Sequence, residues 1–157
     1  NENEIKYIIN LQGDLPSIEA SALSAVLRLL ENKEVHIGTL VVKIDKESDL
    51  HKSQIVKALC KFQENKKSAK AIDFQRLPKD TSTNNFYHHI GIYSYTRDSL
   101  AKFINLDPTQ REQDEKLEQL RALENNMHIE AGLIDFFPLG VDTPEDLEAI
   151  KDLMRKQ

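Results

Sequence analysis

Apolar residues fall in short blocks along the chain, and the spacing inside each block separates strands from helices. Ile5 to Gln12 is dense in β-branched and aromatic side chains, lacks strict alternation and stops at Gly13. That is the pattern of a strand buried on both faces, so it predicts a central strand. After Asp14-Leu15-Pro16, the residues Ile18, Ala22, Val26 and Leu30 recur at helical spacing as far as about Asn32. Pro16 suits the first turn of that helix, where its missing N–H costs nothing. Val35 to Ile44 reads as the next strand, and the order strand, helix, strand predicts a crossover between parallel neighbours. The expected class is α/β, a mixed and mostly parallel sheet flanked by helices.

Asp49 to Lys70 carries a weaker pattern, in which SQIVKALCKF fits a strand or a short helix. The polar run Gln63 to Ser68 reads as a turn before Ala69 to Phe74, which favours a hairpin. Pro78 to Asn85 has loop composition, and Tyr87 to Tyr95 resumes strand character. Period-two spacing there puts His89, Gly91, Tyr93 and Tyr95 on one face and His88, Ile90, Ile92 and Ser94 on the other. Ser99 to Asn105 predicts a short helix. Thr109 with Glu112 forms a capping-box pattern opening a helix that runs through Leu117, Leu120 and Leu123 to Asn125-Asn126. Its first half, QREQDEK, has no apolar residue and is expected to meet solvent or a polar surface. Met127 to Ile134 predicts a last strand, and Thr143-Pro144-Glu145-Asp146 opens a last helix with Leu147, Ile150 and Met154 inward.

Composition narrows the classes. A chain of 157 residues with 39% hydrophobic and 30% charged residues fits one folded domain over residues 1–157. Lys+Arg 21 against Asp+Glu 26 gives a net charge of -5, which argues against a sequence-independent nucleic-acid binder. No apolar run spans a bilayer, so no membrane partner is expected, and the single cysteine, Cys60, offers neither a disulfide nor a zinc spacing. A reducing cytoplasm fits these features. The chain starts at Asn1 and runs almost at once into an apolar block, so an amino-terminal portion is expected to be missing.

The five glycines are scattered, and no GxGxxG, GxxxxGKS, HExxH, GxSxG or CxxC occurs. Acids, histidines, Gln and Arg remain as candidates. Asp14 follows Gln12-Gly13 at the carboxyl end of a predicted strand, where open α/β sheets place ligands. Asp142 lies in the Gly140-Val141-Asp142-Thr143-Pro144 turn. Brought together, the two carboxylates suit a hard cation such as Mg²⁺ bridging to phosphate oxygens. Spacing alone favours the plainer reading, a helix cap and a turn hydrogen bond. His89 and Tyr93 fit equally a polar wall against a ligand and an exposed sheet face. Glu118, Gln119 and Arg76 read on pattern alone as surface residues.

Four segments in order resemble one family: Ile9-Asn10-Leu11-Gln12-Gly13-Asp14-Leu15-Pro16, then His89-Ile90-Gly91-Ile92-Tyr93-Ser94-Tyr95, then LEQLRALEN from Leu117 to Asn125, then Gly140-Val141-Asp142-Thr143-Pro144-Glu145-Asp146-Leu147. They are similar to the signatures of 3-deoxy-manno-octulosonate cytidylyltransferases, the CMP-Kdo synthetases. The resemblance implies a Rossmann-like nucleotide-diphospho-sugar transferase fold acting as a homodimer. The reaction it implies is cytidylyl transfer from CTP to Kdo with Mg²⁺, for lipopolysaccharide biosynthesis. It implies Asp14 and Asp142 as Mg²⁺ ligands and catalytic residues, and Gln12, Arg76, His89, Tyr93, Glu118 and Gln119 around the sugar. The family's basic, glycine-bearing CTP loop has no counterpart here, so the chain by itself is expected to be inactive. Leu15 stands where the family has an acid, Gln75 where it has a serine, and Arg111 and Asp114 where it has apolar residues. The alternatives are a cytidylyltransferase for another acidic sugar of the sialic acid type and a non-catalytic dimerising α/β module.

Overall fold

The computed structural model describes residues 5–13, 15, 17–83, 85–136, 148 and 151. Asp14, Pro16, Asp142, Gly140 and most of the predicted last helix, with Leu147, Ile150 and Met154, lie outside the described residues.

Six strands form one sheet: β1 (Tyr7–Leu11), β2 (Ile37–Lys43), β3 (Lys57–Cys60), β4 (Ser68–Gln75), β5 (Phe86–Thr96) and β6 (Ile129–Leu133), in the order β1-β5-β2-β6-β4-β3. β3 also pairs with the start of β5. Helix α1 (Ala20–Arg28), extended by a 3-10 turn at Leu29–Glu31, packs on one face with Ala22 and Val26 against Leu40, Val42, Ile90 and Ile92. Helices α2 (Arg97–Ile104), α3 (Gln110–Glu115) and α4 (Gln119–Glu124) belong to the other face, where Phe103, Leu117 and Leu120 meet Phe74, Tyr95 and Ile129. Among the described residues no helix is long and apolar enough to cross a membrane.

The predicted β2, β5, β6, α1, α2 and the β3–β4 hairpin are present where the pattern put them. Three expectations are corrected. β1 is a marginal strand among the described residues, paired only with β5, and Tyr7 and Leu11 are exposed by 51% and 45%. Its β-branched composition records strand propensity, whereas its position depends on a partner more than eighty residues away. The sheet is not mostly parallel, because among the described strands only β2 and β6 are hydrogen-bonded to each other as a parallel pair. β1 and β2 do share a direction, since both run against β5, but β5 lies between them. Strands joined without a helical crossover, as β3, β4 and β5 are, cannot readily become parallel neighbours.

The third correction concerns the long helix, which breaks at Lys116 (φ 54, ψ 50) into α3 and α4. A continuous helix would set Glu112 and Arg121 about 13.5 Å apart and on opposite sides. Instead their side chains form a two-pronged ion pair, Arg121 Nε donating to Glu112 Oε2 at 2.8 Å and Nη2 to Oε1 at 2.5 Å. Two forces favour the break. Asp114 and Glu115 at the end of α3 oppose the negative pole of its dipole. Arg76 then donates to the carbonyls of Glu115 and Lys116 at 2.8 and 3.3 Å, groups that an unbroken helix would use internally. The capping box at Thr109 and the left-handed Asn126 are both present.

Gly38 lets α1 approach β2 closely. A Cβ there would lie 2.4 Å from Ser94 Oγ and 2.8 Å from the Val26 carbonyl.

Candidate functional site

A cleft of about 310 Å³ opens where β1, β5, α2 and α4 meet, and its polar lining comes from Asn10, Tyr93, Tyr95, Glu118, Gln119 and Arg121. The αL corner at Lys116 carries Glu118 and Gln119 to this wall, and Gln119 is itself buried. Tyr93 and Tyr95 project from one face of β5 with ring centroids 6.5 Å apart. Burial pushes both phenols up, Tyr95 to about 12, with Tyr95 and Glu118 adding to the effect on Tyr93 and Glu118 to that on Tyr95. Both therefore stay protonated near neutral pH and can donate a hydrogen bond. Glu118 supplies an acceptor in the same cleft. Acceptor and donors side by side suit a polyhydroxylated ligand.

His89 neighbours this wall without lining it. Its ring lies 5.5 Å from Tyr93 and 5.0 Å from Phe74, and it is buried. Burial first, and His88 second, push its pKa down to about 3, so the ring is neutral at ordinary pH. Gln12 is exposed at the end of β1, with its Cγ 3.6 Å from where a Cβ on Gly91 would stand. The Gln12 carbonyl accepts from the Leu15 amide at 3.3 Å. Asp14 and Asp142 are outside the described residues, and among those described no group of three His, Cys, Asp or Glu could hold a metal ion.

Arg76, like Gln12 and His89, is not among the residues that line the cleft. Its guanidinium is occupied by three backbone carbonyls, those of Ser53, Glu115 and Lys116. Beneath it Lys57, fully buried, donates from Nζ to the carbonyls of Lys52 and Arg76, both at 2.6 Å. Burial lowers the Lys57 pKa. The departures Gln75 and Arg111 meet at one acid: Gln75 Nε2 donates to Asp73 Oδ2 at 2.7 Å and Arg111 Nη2 to Asp73 Oδ1 at 2.6 Å. Cys60 is a small buried residue whose thiol burial pushes up to about 12, which makes it a poor nucleophile.

The sequence pattern missed Asn10, Arg121 and Thr39. Asn10 had a signal, a polar side chain inside an apolar strand. Arg121 reads as a solvated helix residue until α3 folds back onto it. Thr39 reads as an ordinary strand residue.

Comparison with known proteins bears on what this cleft serves. The chain is 44% identical over 154 residues to the 3-deoxy-manno-octulosonate cytidylyltransferase of Rhizobium etli, covering 98% of this chain and 61% of that protein. It is 41% identical over 154 residues to the protein of the same name from Paramagnetospirillum magneticum, covering 98% and 63%. The chain thus spans about three fifths of the length of the curated relatives it matches. Among solved structures it resembles CMP:2-keto-3-deoxy-manno-octonic acid synthetase complexed with CTP, with TM-score 0.83 and 29% identity over 98% of this chain and 63% of that one. Apo UDP-glucose pyrophosphorylase shares the fold at TM-score 0.65 and 15% identity, over 99% of this chain and 56% of that one. The sheet and its flanking helices are thus those of nucleotidyltransferases, and the sequence profile described as Cytidylyltransferase matches residues 1–129, so the chain belongs to the cytidylyltransferase family.

Proposed function

We propose that this chain supplies the sugar-binding part of a CMP-Kdo synthetase, which joins CTP and Kdo to give CMP-Kdo and pyrophosphate. The observation that carries this reading is the convergence of Tyr93 with the adjacent pair Glu118 and Gln119, 25 residues further along the chain, on one small polar cleft. All three are residues for which the family resemblance implies a sugar contact. In the whole protein the sheet would extend into the family's Rossmann-like arrangement, and the enzyme would act as a homodimer in the cytoplasm, supplying lipopolysaccharide biosynthesis.

Neutral phenols and a buried amide orient the sugar hydroxyls without adding a charge that would compete with its carboxylate. Glu118 would accept a hydrogen bond from a sugar hydroxyl. The donor set of Asp14 and Asp142 is all carboxylate oxygen, which matches Mg²⁺ in chemistry, and these two residues would hold it. When bound, the cation would offset repulsion between the sugar carboxylate and the triphosphate and support charge on the phosphoryl oxygens.

The test is pyrophosphate release by the full-length protein with CTP, Kdo and Mg²⁺. Release is expected with Kdo and not with a sialic acid, and Asp14→Asn or Asp142→Asn should lower kcat by at least roughly 100-fold. No Mg²⁺-dependent release from the complete protein would sink the proposal, and release with sialic acid in preference to Kdo would reassign the substrate.

A further inference from the structure

The ladder between β2 and β5 skips where it passes the cleft. Thr39 is opposite Tyr93, but the next residue, Leu40, is opposite Ile90, so Gly91 and Ile92 have no partner on β2. The side chain of Thr39, fully buried, fills the gap. Its Oγ1 lies 2.8 Å from the Ile92 carbonyl oxygen, 3.4 Å from that of Ile90 and 2.9 Å from His89 Nε2.

A threonine hydroxyl has one proton to give, and carbonyl oxygens only accept. At 2.8 Å the Ile92 carbonyl requires that proton, because two bare oxygens at this separation would repel. The hydroxyl oxygen is then left with lone pairs toward His89, so Nε2 at 2.9 Å must carry the hydrogen. In a neutral imidazole the other nitrogen, Nδ1, is then an unprotonated acceptor. Nδ1 has no hydrogen-bond partner among the described residues, the one side-chain bond of the ring being that of Nε2 to Thr39.

We infer that Thr39 is a positioning residue that fixes the tautomer of His89, so that His89 presents Nδ1 as an acceptor for a sugar hydroxyl and neither donates to nor pairs with the sugar carboxylate. The substrate consequence rests on the proposed function, whereas the tautomer does not. Burial against Phe74 and Tyr93 agrees with a ring that stays neutral.

Long-range nitrogen–proton correlation spectra of the ¹⁵N-labelled chain read the tautomer directly, with His89 assigned by comparison with His89→Gln. The expected wild-type signature is a protonated Nε2 and a bare Nδ1 near neutral pH. Thr39→Ser should keep it, and Thr39→Val should lose it, giving a mixture or the opposite tautomer. In the full-length enzyme Thr39→Val should raise KM for Kdo roughly tenfold, the worth of one misplaced hydrogen bond, with kcat nearly unchanged and Thr39→Ser restoring the wild-type value. A wild-type ring protonated on Nδ1, an imidazolium near neutral pH, or an unchanged tautomer in a folded Thr39→Val would overturn the assignment, whatever the enzyme's activity. Should Thr39→Val fail to fold, the wild-type and Thr39→Ser spectra decide it. The expected spectra in a protein that never turns over Kdo would overturn the proposed function and leave the tautomer standing.

Discussion

Replacing Glu112 by Gln keeps the shape of the side chain and removes its charge, which isolates what the ion pair with Arg121 contributes. The two side chains are only 8% and 15% exposed. Removing one charge from a buried pair costs about 3 to 5 kcal/mol, because the other is left without compensation. The amide oxygen of Gln can still accept from Arg121, and Arg121 is also stacked 5.1 Å over the Phe103 ring, so the lower end, about 3 kcal/mol, is expected. For a domain of this size that corresponds to a fall in Tm of about 6 to 12 °C. Circular dichroism melts at neutral and acid pH provide the assay. The hydrogen bond from Arg121, and then that from the Thr109 amide, hold the Glu112 carboxyl below the usual range. A depressed carboxyl stabilises the fold above its unfolded value of about 4.3 and loses that contribution as pH falls through the folded value. The gap between wild type and Glu112→Gln should therefore close in acid. A gap under about 2 °C near neutrality, or one that persists unchanged at low pH, would refute the view that this pair holds α3 against α4.

Other consequences follow from packing and titration. Gly38→Ala places a methyl 2.4 Å from Ser94 Oγ and 2.8 Å from the Val26 carbonyl, so α1 must lift from the sheet. A loss of about 3 kcal/mol in urea denaturation is expected, and a loss below about 1 kcal/mol would contradict the close approach. Burial depresses His88 and His89 to about 4 and about 3. A folded pKa below the unfolded value of about 6.5 leaves stability intact above that pH and erodes it as pH falls toward those lower values. The urea midpoint should drop between about pH 6.5 and 4.5, and His89→Gln should flatten that slope. An unchanged slope would show that the ring is not held neutral.

What the sequence determined by itself was everything written in short-range periodicity and local chemistry. The strand patterns of β2, β5 and β6, the hairpin turn after Cys60, the capping box at Thr109 and the left-handed Asn126 all depend on neighbours within a few residues. So does the face of β5 that bears His89, Tyr93 and Tyr95, because alternation along a strand is a local rule. Tertiary structure decided what depends on distant partners. β1 looks like an interior strand, yet its burial is set by which strands lie beside it, and β5 arrives more than eighty residues later. The break at Lys116 is stabilised by carbonyl acceptors meeting Arg76 from the hairpin and by Glu112 meeting Arg121, and in a straight helix neither contact forms. Thr39 gains its role only where the β2–β5 ladder slips, since a hydroxyl in an apolar strand has no meaning until its three partners are in place. Periodicity can name the face on which a side chain stands, but hydrogen-bond partners from elsewhere in the chain decide what that side chain can do.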